Sequence, residues 1–188
     1  MRKNIILCLL LGCLALSGCF VSPVVGSDEQ RDPQKYGIFC SDAKKIIDEY
    51  SFGVLPKKEQ VSDQSRYWYH YDCAFFGDPL VYVFLSTSYE EQVLLEEYER
   101  VQALGVDQRS LTKGRIGISL NEYFDSDYYF YTDSKIEDGR SLIFELAVFD
   151  FERREVQYLF FSGKDQHERK DEINAILKDF GEGSLLAS

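Results

Sequence analysis

Apolar positions along this chain change their spacing several times, and each change marks an element. In RYWYHYDCAFF, residues 66–76, every second position from Tyr67 through Tyr69, Tyr71, Cys73 and Phe75 is apolar or aromatic. That is the period of a strand with one aromatic face. Gly77, Asp78 and Pro79 then turn the chain. LVYVFLSTS, residues 80–88, is apolar on both alternating sets, which predicts a central strand. Further strands are predicted at RIGISL (115–120), YYFYT (128–132), SLIFELAVF (141–149) and EVQYLFFSG (155–163). Asp138-Gly139 marks one hairpin turn and the charged FERR bend at 151–154 another.

Three stretches have helical spacing instead. Ser41 is placed to cap a helix with Ala43, Ile46, Ile47 and Tyr50 on one face. Ser88 with Glu91 reads as a capping box, opening a helix striped by Leu94, Tyr98, Val101 and Leu104 and stopped by Gly105. A third helix is predicted from about Asp165, with Ile173, Ile176, Leu177 and Phe180 as its stripe. Hairpin-linked strands with segregated helices predict an α+β fold: an antiparallel sheet of about five to six strands with helices packed on one face.

The N-terminus follows a different logic. Arg2 and Lys3 precede the apolar run Ile5 to Leu14, and the small residues Ser17 and Gly18 precede Cys19. A charged start, a short apolar stretch and a small-residue site describe an export signal. The run is shorter than the roughly 20 residues of a membrane span. Leu16-Ser17-Gly18-Cys19 resembles the bacterial lipobox, a likeness confined to residues 1–19. The resemblance implies a diacylglycerol thioether on Cys19, cleavage before that residue and a lipid-anchored mature chain. Leu10-Leu11-Gly12-Cys13 is a competing match, disfavoured by bulky Leu11. Phe20, rather than Asp, after the cysteine resembles the pattern sent to the outer membrane in hosts with two membranes. The expected organisation is a signal peptide over 1–18, a lipidated Cys and tether over 19–35, and one globular domain over 36–188.

Losing Arg2 and Lys3 with the signal takes the formal charge from −11 to −13. That surface disfavours nucleic acid and favours a basic partner. Fourteen Phe, thirteen Tyr and one Trp supply core area and strand preference. Once Cys8 and Cys13 leave and Cys19 takes lipid, Cys40 and Cys73 remain, an even pair that reads as a disulfide in an exported domain.

Candidate chemistry is sparse. His70 lies on one strand face with Asp72 and Trp68, so a base oriented by a carboxylate is conceivable; no nucleophile elbow accompanies it. His167 falls in a solvated first turn. Asp125 and Asp127, with Asp133, offer carboxylates to a cation, yet the full calcium-loop pattern is missing, and neither a metal nor a cofactor is expected. Trp68, His70, Asp125, Asp127 and Tyr128 instead suggest an acidic, aromatic docking surface for a basic envelope protein or a glycan. Packing beneath helices or across strands is the competing account for these rings and for Tyr129 and Tyr131, and the expected one for most of them. The expectation is an envelope binding protein of inhibitor, immunity or assembly type. A hydrolase using His70 and Asp72, or a structural or sensor lipoprotein, are the alternatives.

Overall fold

The computed structural model describes residues 26–73, 79–104, 129–135 and 141–164, together with Ala175 and Lys178. Six strands form one antiparallel sheet: β1 (Gly26–Gln30), β2 (Arg66–Cys73), β3 (Leu80–Ser88), β4 (Tyr129–Lys135), β5 (Ser141–Asp150) and β6 (Glu155–Lys164). Their order is β1-β2-β3-β6-β5-β4. With helices α1 (Ser41–Tyr50) and α2 (Glu91–Ala103), the described residues make an α+β fold. Neither is long and apolar enough to cross a membrane.

Alternation decides what β2 buries. Tyr67, Tyr69 and Tyr71 point into the core, opposite Leu85, Val83 and Val81 of β3. Ala43 and Ile47 of α1 and Leu94 and Val101 of α2 belong to the same apolar cluster, with Ala147 and Phe149 of β5 and Val156, Tyr158 and Phe160 of β6. The opposite face is equally dry at the sheet centre, where Phe84, Phe144, Leu146, Leu159 and Phe161 are fully buried. Phe144 and Phe161 stack there with centroids 5.1 Å apart. Full burial of each such side chain contributes about 2 kcal/mol.

Three expectations need correction. Residues 26–35 were assigned to the tether, but Gly26–Gln30 pairs with β2 from Gly26↔Cys73 to Gln30↔Tyr69, and Pro33–Lys35 forms a 3-10 turn. As an edge strand, GSDEQ needs no apolar residue, so hydropathy did not expose it. Ser88 is not a helix cap. The β3–β6 ladder runs on to Ser88↔Glu155, and Tyr89 N–H donates to the Arg154 carbonyl at 2.9 Å, so α2 begins only at Glu91. Ser41 is likewise the first helical residue of α1; Cys40 occupies the cap position without a side-chain cap bond. The strand expected at 115–120 and the turn at Asp138-Gly139 lie outside the described residues. So does most of the third helix, of which Ala175 and Lys178 are helical and exposed.

Two buried carboxylates tie the loop after α1 to its surroundings. Glu145, in mid-β5, is fully buried and accepts from the Ser51 hydroxyl and from the N–H groups of Phe52 (3.1 Å) and Val54 (3.0 Å). Glu97 of α2 accepts from Arg100 Nε (2.8 Å) and Nη2 (2.7 Å), from Tyr158 Oη (2.7 Å) and from Gln60 Nε2 (3.0 Å). Arg100 also donates to the Gly53 and Val54 carbonyls at 2.7 and 2.8 Å. Burial alone would lower the Arg100 pKa; the paired Glu97 more than offsets that, and the net shift is upward.

Arg100→Met is expected to cost about 3–5 kcal/mol in urea unfolding, because it strands a buried carboxylate. Glu145→Ala leaves three donors without their acceptor and is expected to cost about 3 kcal/mol or more. Glu145→Gln keeps most of those bonds and should cost clearly less. Burial pushes the Glu145 carboxyl above its ordinary value, against the lowering effect of its three hydrogen bonds. The folded chain therefore holds that proton more tightly than the unfolded chain does. Its stabilising contribution is complete below the unfolded pKa and is lost as pH rises through the folded value. As pH rises above the ordinary carboxyl range, Glu145→Gln should lose less stability than the parent.

Candidate ligand-binding face

The register of β1 on β2 assembles a cluster on the face opposite Tyr67, Tyr69 and Tyr71. Glu29 pairs with His70, and His70 pairs with Tyr82 of β3. One step beyond the last β1 pair, Arg31 comes opposite Trp68. The His70 and Tyr82 rings stack with centroids 5.0 Å apart, and Trp68 meets Tyr82 edge-on at 4.8 Å. Trp68 and His70 are half-buried, while Tyr82 is buried.

Charge closes the outer side of this cluster. Glu29 Oε1 accepts from Arg31 Nε at 2.9 Å and from Trp68 Nε1 at 3.1 Å. The Arg31 guanidinium carbon lies 5.1 Å from the Trp68 ring centroid, within cation–π range. The bond from Arg31 leads the effects that hold the Glu29 carboxyl below its ordinary value, with Trp68 and the nearby His70 acting in the same direction. Carboxylate, indole and guanidinium thus form one connected unit.

His70 sits half-buried in mid-β2. Its Nδ1 is buried and has no hydrogen-bond partner, so no bond to Asp72 orients the ring through that atom. The arrangement can bind by stacking and charge. Nor do three or more His, Cys, Asp or Glu side chains come together among them in a way that could hold a metal ion.

Cys40 and Cys73, expected as a disulfide, are both free thiols in this structure. Each is engaged by a tyrosine of β2. Tyr69 Oη donates to Cys40 Sγ at 3.3 Å, and Tyr71 hydrogen-bonds Cys73. Trp68 and His70 are brought together as expected from their shared face. Asp125, Asp127 and Tyr128 lie outside the described residues, as does Cys19. Glu29, Arg31 and Tyr82 were missed by sequence reasoning. Glu29 and Arg31 stand two apart, the strand period, but inside a stretch read as tether; Tyr82 was submerged in a doubly apolar strand.

Comparison with protein-family models, with curated proteins and with solved structures finds no match to this chain.

His70→Phe keeps the stack on Tyr82 and removes a buried nitrogen without a partner, so thermal unfolding should show an unchanged or raised midpoint. Tyr67→Phe, which removes another buried unpartnered atom, the Tyr67 hydroxyl, should behave the same way. A fall of several degrees in both variants would show that these atoms are satisfied in solution.

Proposed function

We propose that the chain is an exported, lipid-anchored protein of the bacterial cell envelope that binds a basic partner protein and catalyses no reaction. The observation that carries this reading is the Glu29–Trp68–His70–Tyr82 cluster, a carboxylate set beside half-buried aromatic rings at the sheet edge. Aromatic rings with polar edges recur at binding surfaces because they offer area at small entropic cost. A mature charge of −13 draws a basic partner toward the surface and weakens with salt.

In this reading both helices form one layer over the Tyr67, Tyr69 and Tyr71 face, supported by their shared apolar cluster. The aromatic cluster then lies on the side away from α1 and α2. The anchor is the thioether on Cys19, as the lipobox resemblance implies. Gly26 follows Cys19 by seven positions, so β1 starts within about 25 Å of the lipid even if the link is fully extended. The sheet edge would therefore stay near the membrane, on its periplasmic or outer side if the host has two membranes.

Labelling cells with a palmitate analogue tests the anchor: the parent should incorporate label and sediment with membranes, and Cys19→Ser should do neither. The binding role is tested by capturing envelope proteins on the detergent-solubilised full chain. A basic protein, retained in stoichiometric amount and released by about 0.5 M salt, is expected. Recovery of a glycan instead, or of nothing, would overturn the choice of partner.

A further inference from the structure

Arg31 occupies a position that another molecule's cation would fit. Its guanidinium meets the face of Trp68 and the carboxylate of Glu29. Trp68 Nε1 donates to the same carboxylate oxygen, which fixes the acid beside the ring before any cation arrives. An indole face flanked by an oriented carboxylate is a receptor for a guanidinium group, whichever chain supplies it.

The ion pair that Arg31 makes with Glu29 is open to water. The Arg31 and Glu29 side chains are 44% and 46% exposed, and an ion pair so open to water adds little to stability. Arg31 also follows the last residue of β1 and is not part of the β1–β2 ladder. Its side chain can swing away without breaking a ladder hydrogen bond.

We infer that the Trp68–Glu29 pair is a recognition site for an arginine side chain of a basic partner, and that Arg31 is an internal occupant which the partner's arginine displaces. This rests on the reading of the protein as a binder of basic partners and names the contact that would select them. Self-occupation weakens binding by the fraction of time the site is filled. If Arg31 sits there nine-tenths of the time, its removal strengthens binding about tenfold. A guanidinium is favoured over an ammonium, because its plane can lie on the indole while its edge meets the carboxylate.

Trp68 is the only tryptophan in the chain, so its fluorescence reports this site directly. The experiment titrates the full chain, in non-ionic detergent, with tri-arginine amide and separately with tri-lysine amide. The parent and three variants are compared: Arg31→Gln, Arg31→Gln with Glu29→Gln, and Arg153→Gln. Arg153 is an 80% exposed side chain in the β5–β6 hairpin, and its replacement makes the same change in net charge. Arg31→Gln is expected to reach half-saturation with tri-arginine at about one-tenth the parent's concentration. Arg153→Gln should match the parent, the double variant should lose the gain, and tri-lysine should bind more weakly than tri-arginine.

Equal titrations for the parent and Arg31→Gln would overturn the inference, and so would an equal gain from Arg153→Gln. A fluorescence change that survives Glu29→Gln would do the same. The two readings fail separately. Capture of a basic envelope protein with silent Trp68 titrations removes the arginine site alone. The predicted Arg31→Gln response, with no basic partner captured, supports the site and removes the proposed partner.

Discussion

A carboxylate sunk in mid-sheet, Glu145, determines how the first helix joins the rest of the protein. The chain leaving α1 turns at Ser51–Val54, where the N–H groups of Phe52 and Val54 point toward the sheet. Glu145 gathers both of them and the Ser51 hydroxyl, while Arg100 takes the Gly53 and Val54 carbonyls from the other side. Gly53 supplies the left-handed backbone, φ +84°, that the turn requires. Sheet, α1 and α2 are thus joined through four residues of loop. A desolvated charge is costly, so the arrangement adds less to stability than to uniqueness: few other placements of that loop would satisfy Glu145.

Most of the buried tyrosines among the described residues lie in the helix-bearing cluster, beside Phe149 and Phe160. Several tyrosines in the helix-bearing cluster use their hydroxyls: Tyr36 donates to the Pro56 carbonyl, Tyr69 to Cys40, and Tyr158 to Glu97. The opposite centre holds Phe84, Phe144 and Phe161, rings with no hydroxyl to satisfy. Toward the β1 edge that second face gives way to Tyr82, His70 and Trp68, and finally to Glu29 and Arg31. Across a few strands it passes from dry packing to exposed, charged side chains, and the candidate site lies at that edge.

Legibility in the sequence followed burial. β2, β3, β5 and β6 stood out because alternation or unbroken apolarity is forced on strands with one or two buried faces. Edge strand β1, exposed and polar, left no such mark. Helix α2 was visible in its stripe, but its start was misplaced because Ser88 met the capping pattern while the β3–β6 ladder held it extended. Glu97 and Glu145 were missed for a shared reason: a charged residue among apolar neighbours is read as facing water until its partners, far away in sequence, are known. Of the candidate site, Trp68 and His70 were found by alternation along one strand. Glu29 and Tyr82 depended on register between strands, which one strand's sequence does not encode.

The short span between Cys19 and Gly26 has a mechanical consequence. In the lipidated form proposed above, any pull between the membrane and a bound partner enters the fold through the N-terminal end of β1. Drawn along the strand, that load falls on the β1–β2 hydrogen bonds in parallel, as shear; drawn sideways, it opens them one after another from Gly26. Glu29 lies near the far end of the same strand, between the register pairs Asp28↔Tyr71 and Gln30↔Tyr69. Peeling would reach it last, so the protein could yield several hydrogen bonds to tension before its grip on a partner changed.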